Sequence, residues 1–237
     1  MKTKKAQRVI SLVPSWTETL IEAGIEVVGR SRYCIHPEEV TVKIPVVGGT
    51  KDLNWEKLTQ LQPDLVLLDR EENPKFFAEK NPFPWWSSHV TSLETLSSAL
   101  GELASIFENP HLRTWADQAQ KFPSQAAPAI AQRKIVYIIW KDPWMCVGQN
   151  TYIADVARLL GYRVVTPLGA ASSYPIFDWS DFTDDSIEFW LSSEPYPFHK
   201  KKEELAQLGK HFQFVDGESF SWFGIRSLRF LASILGK

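Results

Sequence analysis

Short apolar segments alternate with amphipathic ones along the chain, and this alternation constrains the fold more than any other feature. Residues 8–13 and 25–29 are strand-like runs, and residues 65–68 (Leu-Val-Leu-Leu) are apolar throughout, as in a strand buried on both faces of a sheet. Helical patterns lie between these runs. Because strands that are joined through helices pair in parallel, the pattern predicts a mostly parallel sheet flanked by helices.

The second half of the chain repeats this plan. Strand patterns occur over residues 134–140, 162–166, 187–191 and 212–215. Helix patterns occur over residues 151–160, 200–208 and 225–235. Between the halves, residues 93–107 and 112–132 have helical patterns without strands, and Pro123 and Pro128 should kink or break the second of them.

We therefore expect an α/β fold with two lobes, each a mostly parallel sheet flanked by helices. The N-terminal lobe is predicted over residues 1–108, a helical connector over 109–132 and the C-terminal lobe over 133–237. The length of 237 residues is compatible with two small lobes of this kind.

Local signals predict where several helices begin and end. The spacing of Ser15 and Glu18 is that of a capping box, in which each side chain satisfies an amide at the helix start. Gly24 suits the position just after the end of that helix. Asn54 is a candidate N-cap for the next helix.

Composition excludes several classes of function. The chain is 44% hydrophobic and 23% charged with a net charge of −2, so it is globular and has no basic stripe for a nucleic-acid partner. No apolar run is long enough for a membrane helix, and no secretory signal precedes the first strand. Two cysteines, Cys34 and Cys146, are too few for a disulfide framework.

Aromatic residues make up 13% of the chain and gather in the loops that follow predicted strands. They include Trp16, Tyr33, Trp140, Trp144, Tyr174 and Trp222. Ligands of open α/β sheets bind beyond the carboxyl ends of the strands, whereas ordinary loops are polar. As a set, these aromatics predict two facing walls of an apolar ligand cleft between the lobes. Any one of them could equally plug the core of its own lobe.

Candidate chemical groups in the loops point to binding rather than catalysis. His36 is either an axial ligand for cobalt or iron or, as we favour, a hydrogen-bonded structural residue before a proline. Cys34 with His36 is a weak candidate for a thiol nucleophile and base, since no third orienting group is evident. Glu71 and Glu72 are consecutive and should point apart, so we expect one of them to face the cleft and make a polar contact to a ligand rather than to act in acid/base catalysis. No hydrolase, metalloprotease or redox motif occurs, so we predict no catalytic residue and no resident metal.

At these residues the sequence resembles class III substrate-binding proteins, the helical backbone metal receptor superfamily. The resemblance begins at residues 8–18 (Arg-Val-Ile-Ser-Leu-Val-Pro-Ser-Trp-Thr-Glu) and spans nearly the whole chain. It continues in order through residues 29–37, 47–51, 62–66, 71–73, 139–145, 174–175, 193–195, 216–217 and 222–224. Each motif alone is weak, but the ordered series is specific. The cobalamin-binding members that serve ABC importers are the most similar.

The resemblance implies two α/β lobes joined by one long helix, with a corrinoid, a haem or an iron chelate such as a ferric siderophore held between them. The implied N-terminal wall consists of Tyr33, Thr50 and Asp69, with His36 as a further candidate. The implied C-terminal wall consists of Trp140, Trp144 and Tyr174, with Ser221 or Trp222 at its rim. Aromatic rings match a broad flat ligand at low entropic cost. No intrinsic cofactor is expected.

The resemblance also implies partners and a location. Family members dock on an ABC permease and its ATPase through one glutamate in each lobe; Glu56 matches the first, whereas Ser180 occupies the second position and the adjacent Asp181 is a possible substitute. The family implies a monomer in the periplasm or another extracytoplasmic space. The absence of a signal segment leaves a cytoplasmic location open, with the alternative of an intracellular protein or enzyme that handles tetrapyrroles or metal cofactors.

Overall fold

Five parallel strands form the first sheet of the computed structural model, which describes residues 8–122 and 133–236. They are β1 (Val9–Ser11), β2 (Val27–Ser31), β3 (Val46–Gly48), β4 (Leu65–Asp69) and β5 (Trp85–Ser88), in the order β3-β2-β1-β4-β5. The helices of this part of the chain are α1 (Pro14–Glu22), α2 (Glu38–Thr41), α3 (Trp55–Gln60), α4 (Phe76–Lys80), α5 (Leu93–Phe107) and α6 (Pro110–Lys121). The strand order reverses between β1 and β4, which marks the usual ligand-binding point of such sheets.

The second sheet is parallel except at one edge. Its strands are β6 (Arg133–Trp140), β7 (Met145–Cys146), β8 (Tyr162–Val164), β9 (Glu188–Ser192) and β10 (Phe212–Val215). The order is β10-β9-β6-β7, with β8 also paired to β6, and only the β6–β7 pairing is antiparallel. The helices are α7 (Tyr152–Leu159), α8 (Lys202–Ala206), α9 (Gly217–Ser221) and α10 (Ile225–Leu235). The predicted α/β fold with two mostly parallel sheets is confirmed.

The interior strands supply the cores of both sheets. Every residue of β4 is buried, as its continuous apolar run predicted. On one side of the first sheet the core contains Ile10, Val66 and Phe77. The second sheet packs around Val136 and Leu191. Among the described residues, no helix has both the length and the apolar character needed to cross a bilayer.

The chain divides into two compact units, and the last helix belongs to the first of them. The first unit contains the described residues up to Val90, Thr95–Ala119 and the described residues from Phe223 onward; the second contains Thr91–Glu94 and the described part of Gln120–Trp222. This division differs from the predicted lobe over residues 133–237. Of the predicted connector over 109–132, most of α6 lies in the first unit, and residues 123–132 lie outside the described part.

Ion pairs and hydrogen bonds link α10 to α1 within the first unit. The Arg226 guanidinium makes two hydrogen bonds of 2.8 Å to the Glu18 carboxylate, and Arg229 Nη2 donates to Glu22 at 2.7 Å. The Ile225 amide donates to Thr19 Oγ1 at 3.1 Å. These contacts span more than 200 residues of sequence, so the periodicity of α10 alone did not reveal its neighbour.

The predicted capping box at Ser15 and Glu18 is wrong. The helix α1 begins two residues earlier than that capping box implies, at Pro14, with Val13 at the N-cap and no side-chain cap. Proline at the first helical position needs no amide partner, and Glu18 is bound to the C-terminal helix instead. Two other predictions are confirmed: Asn54 Oδ1 accepts from the Lys57 amide at 2.9 Å, and Gly24 follows α1 with a φ of +75°.

Candidate functional site

The carboxyl ends of the parallel strands in the first unit meet at one edge of the sheet. Tyr33 follows β2, and 52% of the residue is exposed. Thr50 follows β3 and is partly buried, and its carbonyl oxygen accepts from Asn73 Nδ2 at 3.2 Å. His36 is partly buried in the loop after Tyr33. The structure therefore places Tyr33 and Thr50 at strand ends of the same sheet, although the strand before Thr50 was not predicted and Thr50 was expected only from the family resemblance.

Asp69, the last residue of β4, is turned inward rather than presented to solvent. It is only 3% exposed. Its Oδ2 accepts from Ser88 Oγ at 2.5 Å, and its Oδ1 accepts from the amides of Glu71 and Glu72 at 2.9 and 3.4 Å. Burial raises the pKa of the Asp69 carboxyl. These hydrogen bonds hold the turn after β4 in place. A direct contact between Asp69 and a ligand stays a prediction.

Trp16 is the inner end of the same hydrogen-bond network. Its ring is fully buried, and its Nε1 donates to Ser88 Oγ at 2.8 Å. It contacts the rings of Trp86 and Phe223 at centroid distances of 5.7 and 5.1 Å. Thus the first strand-end aromatic of the sequence fills the core of its own unit.

Polar residues that the sequence reasoning did not connect form the outer layer of this edge. Lys51 Nζ donates to the carbonyl oxygens of Glu72 and Glu71 at 2.8 and 3.3 Å, so the loop after β3 is tied to the turn after β4. His89 follows β5, and its Nε2 lies 3.5 Å from Glu71 Oε1. Arg70 is exposed one residue beyond the paired Asp69 and Ser88. The sequence signal for this layer was limited to Arg70 and Glu71, which follow the predicted strand over residues 65–68, since the strands before Lys51 and His89 were not predicted.

The corresponding edge of the second sheet presents aromatic surface. Trp140 ends β6 with 39% of the residue exposed, and its ring meets the Tyr196 ring edge-on at a centroid distance of 5.6 Å. Tyr196 follows β9, the neighbour of β6 in the sheet. The two rings come from strands that the sequence predicted separately, and together they form a continuous apolar contact at the strand ends.

Trp144 packs into the core of the second unit. Its ring lies 5.0 Å from Trp179 and 6.2 Å from Phe177 and is stacked on Phe198 at 6.1 Å. Lys141 Nζ lies 5.9 Å from the Trp144 ring centroid. These contacts fit the alternative interpretation, in which a loop aromatic fills the core of its own lobe, better than they fit a ligand contact.

Tyr174 lies in a loop that runs beside β7. The flanking residues hold the loop, because the Gly148 amide donates to the carbonyl oxygen of Ser173 at 2.8 Å and the Cys146 amide to that of Pro175 at 3.0 Å. The Tyr174 side chain is partly buried. Its position next to the strand that pairs with the end of β6 places it in the same region of the second unit as Trp140.

Ser221 and Trp222 are fixed at the ends of β9 and β10 by the partly buried carboxylate of Glu194. Ser221 Oγ donates to Glu194 Oε1 at 2.7 Å, and the Trp222 side chain also hydrogen-bonds this group. The helix α9, which ends at Ser221, starts at Gly217, whose amide donates to Ser193 Oγ at 2.9 Å. A Cβ at Gly217 would clash with Ser192 Oγ, so the close approach requires glycine. Glu194 was not among the predicted site residues.

The two predicted docking residues are both on the surface. Glu56 is exposed in the first turn of α3, within 3.4 Å of Gln60 Nε2. Asp181 is exposed in a short 3₁₀ helix (Trp179–Asp181), where its Oδ2 accepts from the Asp178 amide at 2.8 Å in a capping box. Asp181 thus has a local structural role that Glu56 lacks.

The two cysteines are free and buried. Burial raises the pKa of both thiols, to about 12 for Cys146. A thiolate is the reactive form of cysteine, so these pKa values oppose the nucleophile hypothesis for Cys34.

Comparison with protein families gives one match that covers most of the chain. The family model described as periplasmic binding protein matches residues 9–211. Among curated proteins, the vitamin B12-binding protein of Yersinia pestis is 32% identical over 127 residues, which are 52% of this chain and 44% of that protein. The match therefore spans less than half the length of this curated relative.

Solved structures share the fold over nearly the whole chain. The periplasmic vitamin B12-binding protein of Vibrio cholerae superposes with a TM-score of 0.74 at 19% identity, covering 98% of this chain and 96% of that one. A periplasmic haem-binding protein of Pseudomonas aeruginosa superposes with a TM-score of 0.77 at 18% identity, covering 97% and 91%. At these identities the likeness is one of fold.

Proposed function

Because the chain belongs to the periplasmic binding protein family, we propose that it captures a metal chelate of the corrinoid class and delivers it to an ABC importer. The observation that carries the proposal is the exposed Trp140 ring, held edge-on by Tyr196 at the carboxyl edge of the second sheet. Rigid aromatic rings bind a broad flat ligand with little loss of conformational entropy. The curated relative named for vitamin B12 supports a corrinoid over a haem.

The polar edge of the first sheet fits the same ligand class. A corrinoid carries peripheral amide groups, which both donate and accept hydrogen bonds. Arg70 offers donors there, Glu71 offers acceptors and Tyr33 offers an exposed ring. Because this edge offers both donors and acceptors, it can pair with the amide groups of a corrinoid. A uniformly basic edge would offer donors only.

The proposal includes a site of action and a partner. A protein of this family delivers its ligand to a permease and ATPase, and we propose that Glu56 and Asp181 contact that permease outside the cytoplasmic membrane. The relatives named above are binding proteins, and they favour capture over the alternative of an intracellular enzyme or cofactor-handling protein.

The first experiment is a titration of the purified protein with cyanocobalamin, dicyanocobinamide, haemin and a ferric siderophore, followed by tryptophan fluorescence and calorimetry. We expect saturable one-to-one binding of a corrinoid. Trp140→Ala should weaken that binding at least about tenfold, because a central aromatic contact contributes about 2 kcal/mol or more, while the thermal midpoint changes little.

Trp85 offers a matched control. It is 49% exposed but lies at the start of β5, away from the carboxyl ends of the strands. Trp85→Ala should leave affinity unchanged. Equal affinity of Trp140→Ala and the wild type, or no binding of either corrinoid, would contradict the proposal.

A further inference from the structure

Glu194 is a partly buried carboxylate that directly contacts two predicted ligand-binding residues. It follows β9, and its Oε1 accepts from Ser221 Oγ at 2.7 Å. The Trp222 side chain also hydrogen-bonds the Glu194 carboxylate. These two residues form the predicted rim of the ligand-binding edge in the second unit, so one side chain holds both.

Backbone hydrogen bonds and close packing also hold the start of α9 against the end of β9. The Ser193 hydroxyl accepts from the Gly217 amide, and the Ser193 amide donates to the Val215 carbonyl oxygen at 3.0 Å. A Cβ at Gly217 would lie 2.8 Å from Glu194 Cγ. The short helix α9 is therefore packed directly against the Glu194 side chain, and the carboxylate supplies the polar contact at its far end.

We infer that Glu194 is a positioning residue that holds Ser221 and Trp222 at the carboxyl edge of the second sheet, and that its ionisation sets the affinity of this edge for ligand. The inference rests on the proposed function to the extent that Trp222 contacts the ligand. A charged acceptor makes a hydrogen bond roughly twice as strong as a neutral one, so protonation of Glu194 loosens the rim.

The charged and titratable groups around Glu194 give the direction of the pH effect. Burial raises the pKa of Glu194, and the nearby carboxylates of Glu218 and Asp216 raise it further. The hydrogen bonds from Ser221 and Trp222 lower it but do not cancel the increase. The buried Tyr137 hydroxyl, which lies 3.4 Å from Ser192 Oγ, stays protonated because burial raises its pKa. Acidification therefore protonates Glu194 above the usual carboxyl value of 4.5.

The same shift predicts opposite effects on stability and on affinity. A carboxyl whose pKa is raised on folding opposes folding when ionised, and this penalty disappears as the pH falls through the folded-state pKa. Glu194→Gln removes the charge and keeps an acceptor. We expect its thermal midpoint at neutral pH to equal or exceed that of the wild type, while its affinity for cyanocobalamin is about three- to tenfold weaker.

The pH profile separates this role from simple packing. Wild-type affinity for cyanocobalamin should fall toward that of Glu194→Gln as the pH is lowered from neutral through the raised pKa of Glu194, whereas the affinity of Glu194→Gln should stay constant. Ser186→Ala is a control, because Ser186 Oγ donates to Asp184 at 2.6 Å and neither residue is among the groups that affect Glu194. Parallel pH profiles of the wild type and Glu194→Gln would overturn the inference.

A second measurement needs no ligand. The indole N–H resonance of Trp222, identified by its loss in Trp222→Phe, should titrate with a midpoint above 4.5 in the wild type and should not titrate in Glu194→Gln. A resonance that stays constant, or that titrates equally in both proteins, would reject the inference. If no corrinoid binds, the proposed function fails, and the resonance still decides whether Glu194 controls Trp222.

Discussion

The carboxyl edges of the two sheets have different chemistry although both belong to mostly parallel α/β units. In the first unit the edge is polar, with Lys51, Glu71 and His89 in its outer layer. In the second unit it is aromatic, with Trp140 and Tyr196 in contact. Topology therefore fixes where a ligand site can form, and the residues that follow the strands decide what such a site can bind.

Two tryptophans show how this difference arises. Trp16 follows β1 and Trp140 ends β6, and each of these strands lies inside its sheet. The Trp16 ring is fully buried, with its N–H bonded to Ser88, whereas Trp140 is 39% exposed. Tryptophan suits both places because it has a large apolar area and one polar edge.

The largest expected effect is the difference in stability between truncation of the buried Trp16 ring and truncation of the exposed Trp140 ring. Trp16→Ala should lower the free energy of unfolding by about 3–5 kcal/mol, because it removes a fully buried aromatic ring and leaves Ser88 without its donor. Trp140→Ala should lower it by about 1 kcal/mol or less. Urea unfolding followed by circular dichroism measures both. Similar losses in the two variants would show that the two rings do not differ in role.

A smaller effect is expected at the turn that carries the polar edge. Asp69→Ala should lower the free energy of unfolding by about 1–3 kcal/mol, because the amides of Glu71 and Glu72 and the Ser88 hydroxyl lose their acceptor. Asp69→Asn keeps an acceptor and should lose less.

The pH dependence of these Asp69 variants provides a further check. Since burial raises the pKa of Asp69, its ionised form opposes folding near neutral pH, and that penalty is relieved as the pH falls through the folded-state pKa. Acidification should therefore favour the wild type relative to Asp69→Asn. A stability difference between them that is constant with pH would argue against a buried carboxylate at this position.

The interior of the fold could be predicted from sequence because burial on both faces leaves a continuous apolar run. The prediction for β10 agrees residue for residue with the structure, and β4 is one residue longer than expected. Strands β3 and β5, at the two edges of the first sheet, were not predicted. In β3 only the middle residue, Val47, is buried, and in β5 Trp85 is exposed while Ser87 and Ser88 interrupt the apolar pattern.

The candidate site could be predicted only in its location. The loops after the predicted strands do follow strands in the structure, whereas those after β3 and β5 were not recognised as strand ends. Whether Trp16 or Trp144 is exposed depends on partners far away in sequence. The hydrogen bond between Trp16 and Ser88 joins residues 72 positions apart, and the one between Ser221 and Glu194 joins residues 27 positions apart. No local pattern encodes such pairs, so the inward orientation of Asp69 and the contacts of Glu194 required the structure.

The smallest expected effect on the isolated protein is at the proposed docking residues, and it extends the comparison to the outer surface. Glu56→Ala removes an exposed carboxylate in the first turn of α3 and should change the free energy of unfolding by about 0.5 kcal/mol or less. Its corrinoid affinity should equal that of the wild type. Reconstituted uptake with the cognate permease and ATPase should fall.

Asp181 requires a different substitution because its carboxylate also caps a 3₁₀ helix. Asp181→Asn keeps an acceptor for the Asp178 amide and removes the charge, so a decrease in uptake would report docking rather than local unfolding. Normal uptake with Glu56→Ala and reduced uptake with Asp181→Asn would assign docking to the second unit alone. Normal uptake with both would show that neither residue couples the protein to its permease, since ligand capture itself is unchanged in these variants.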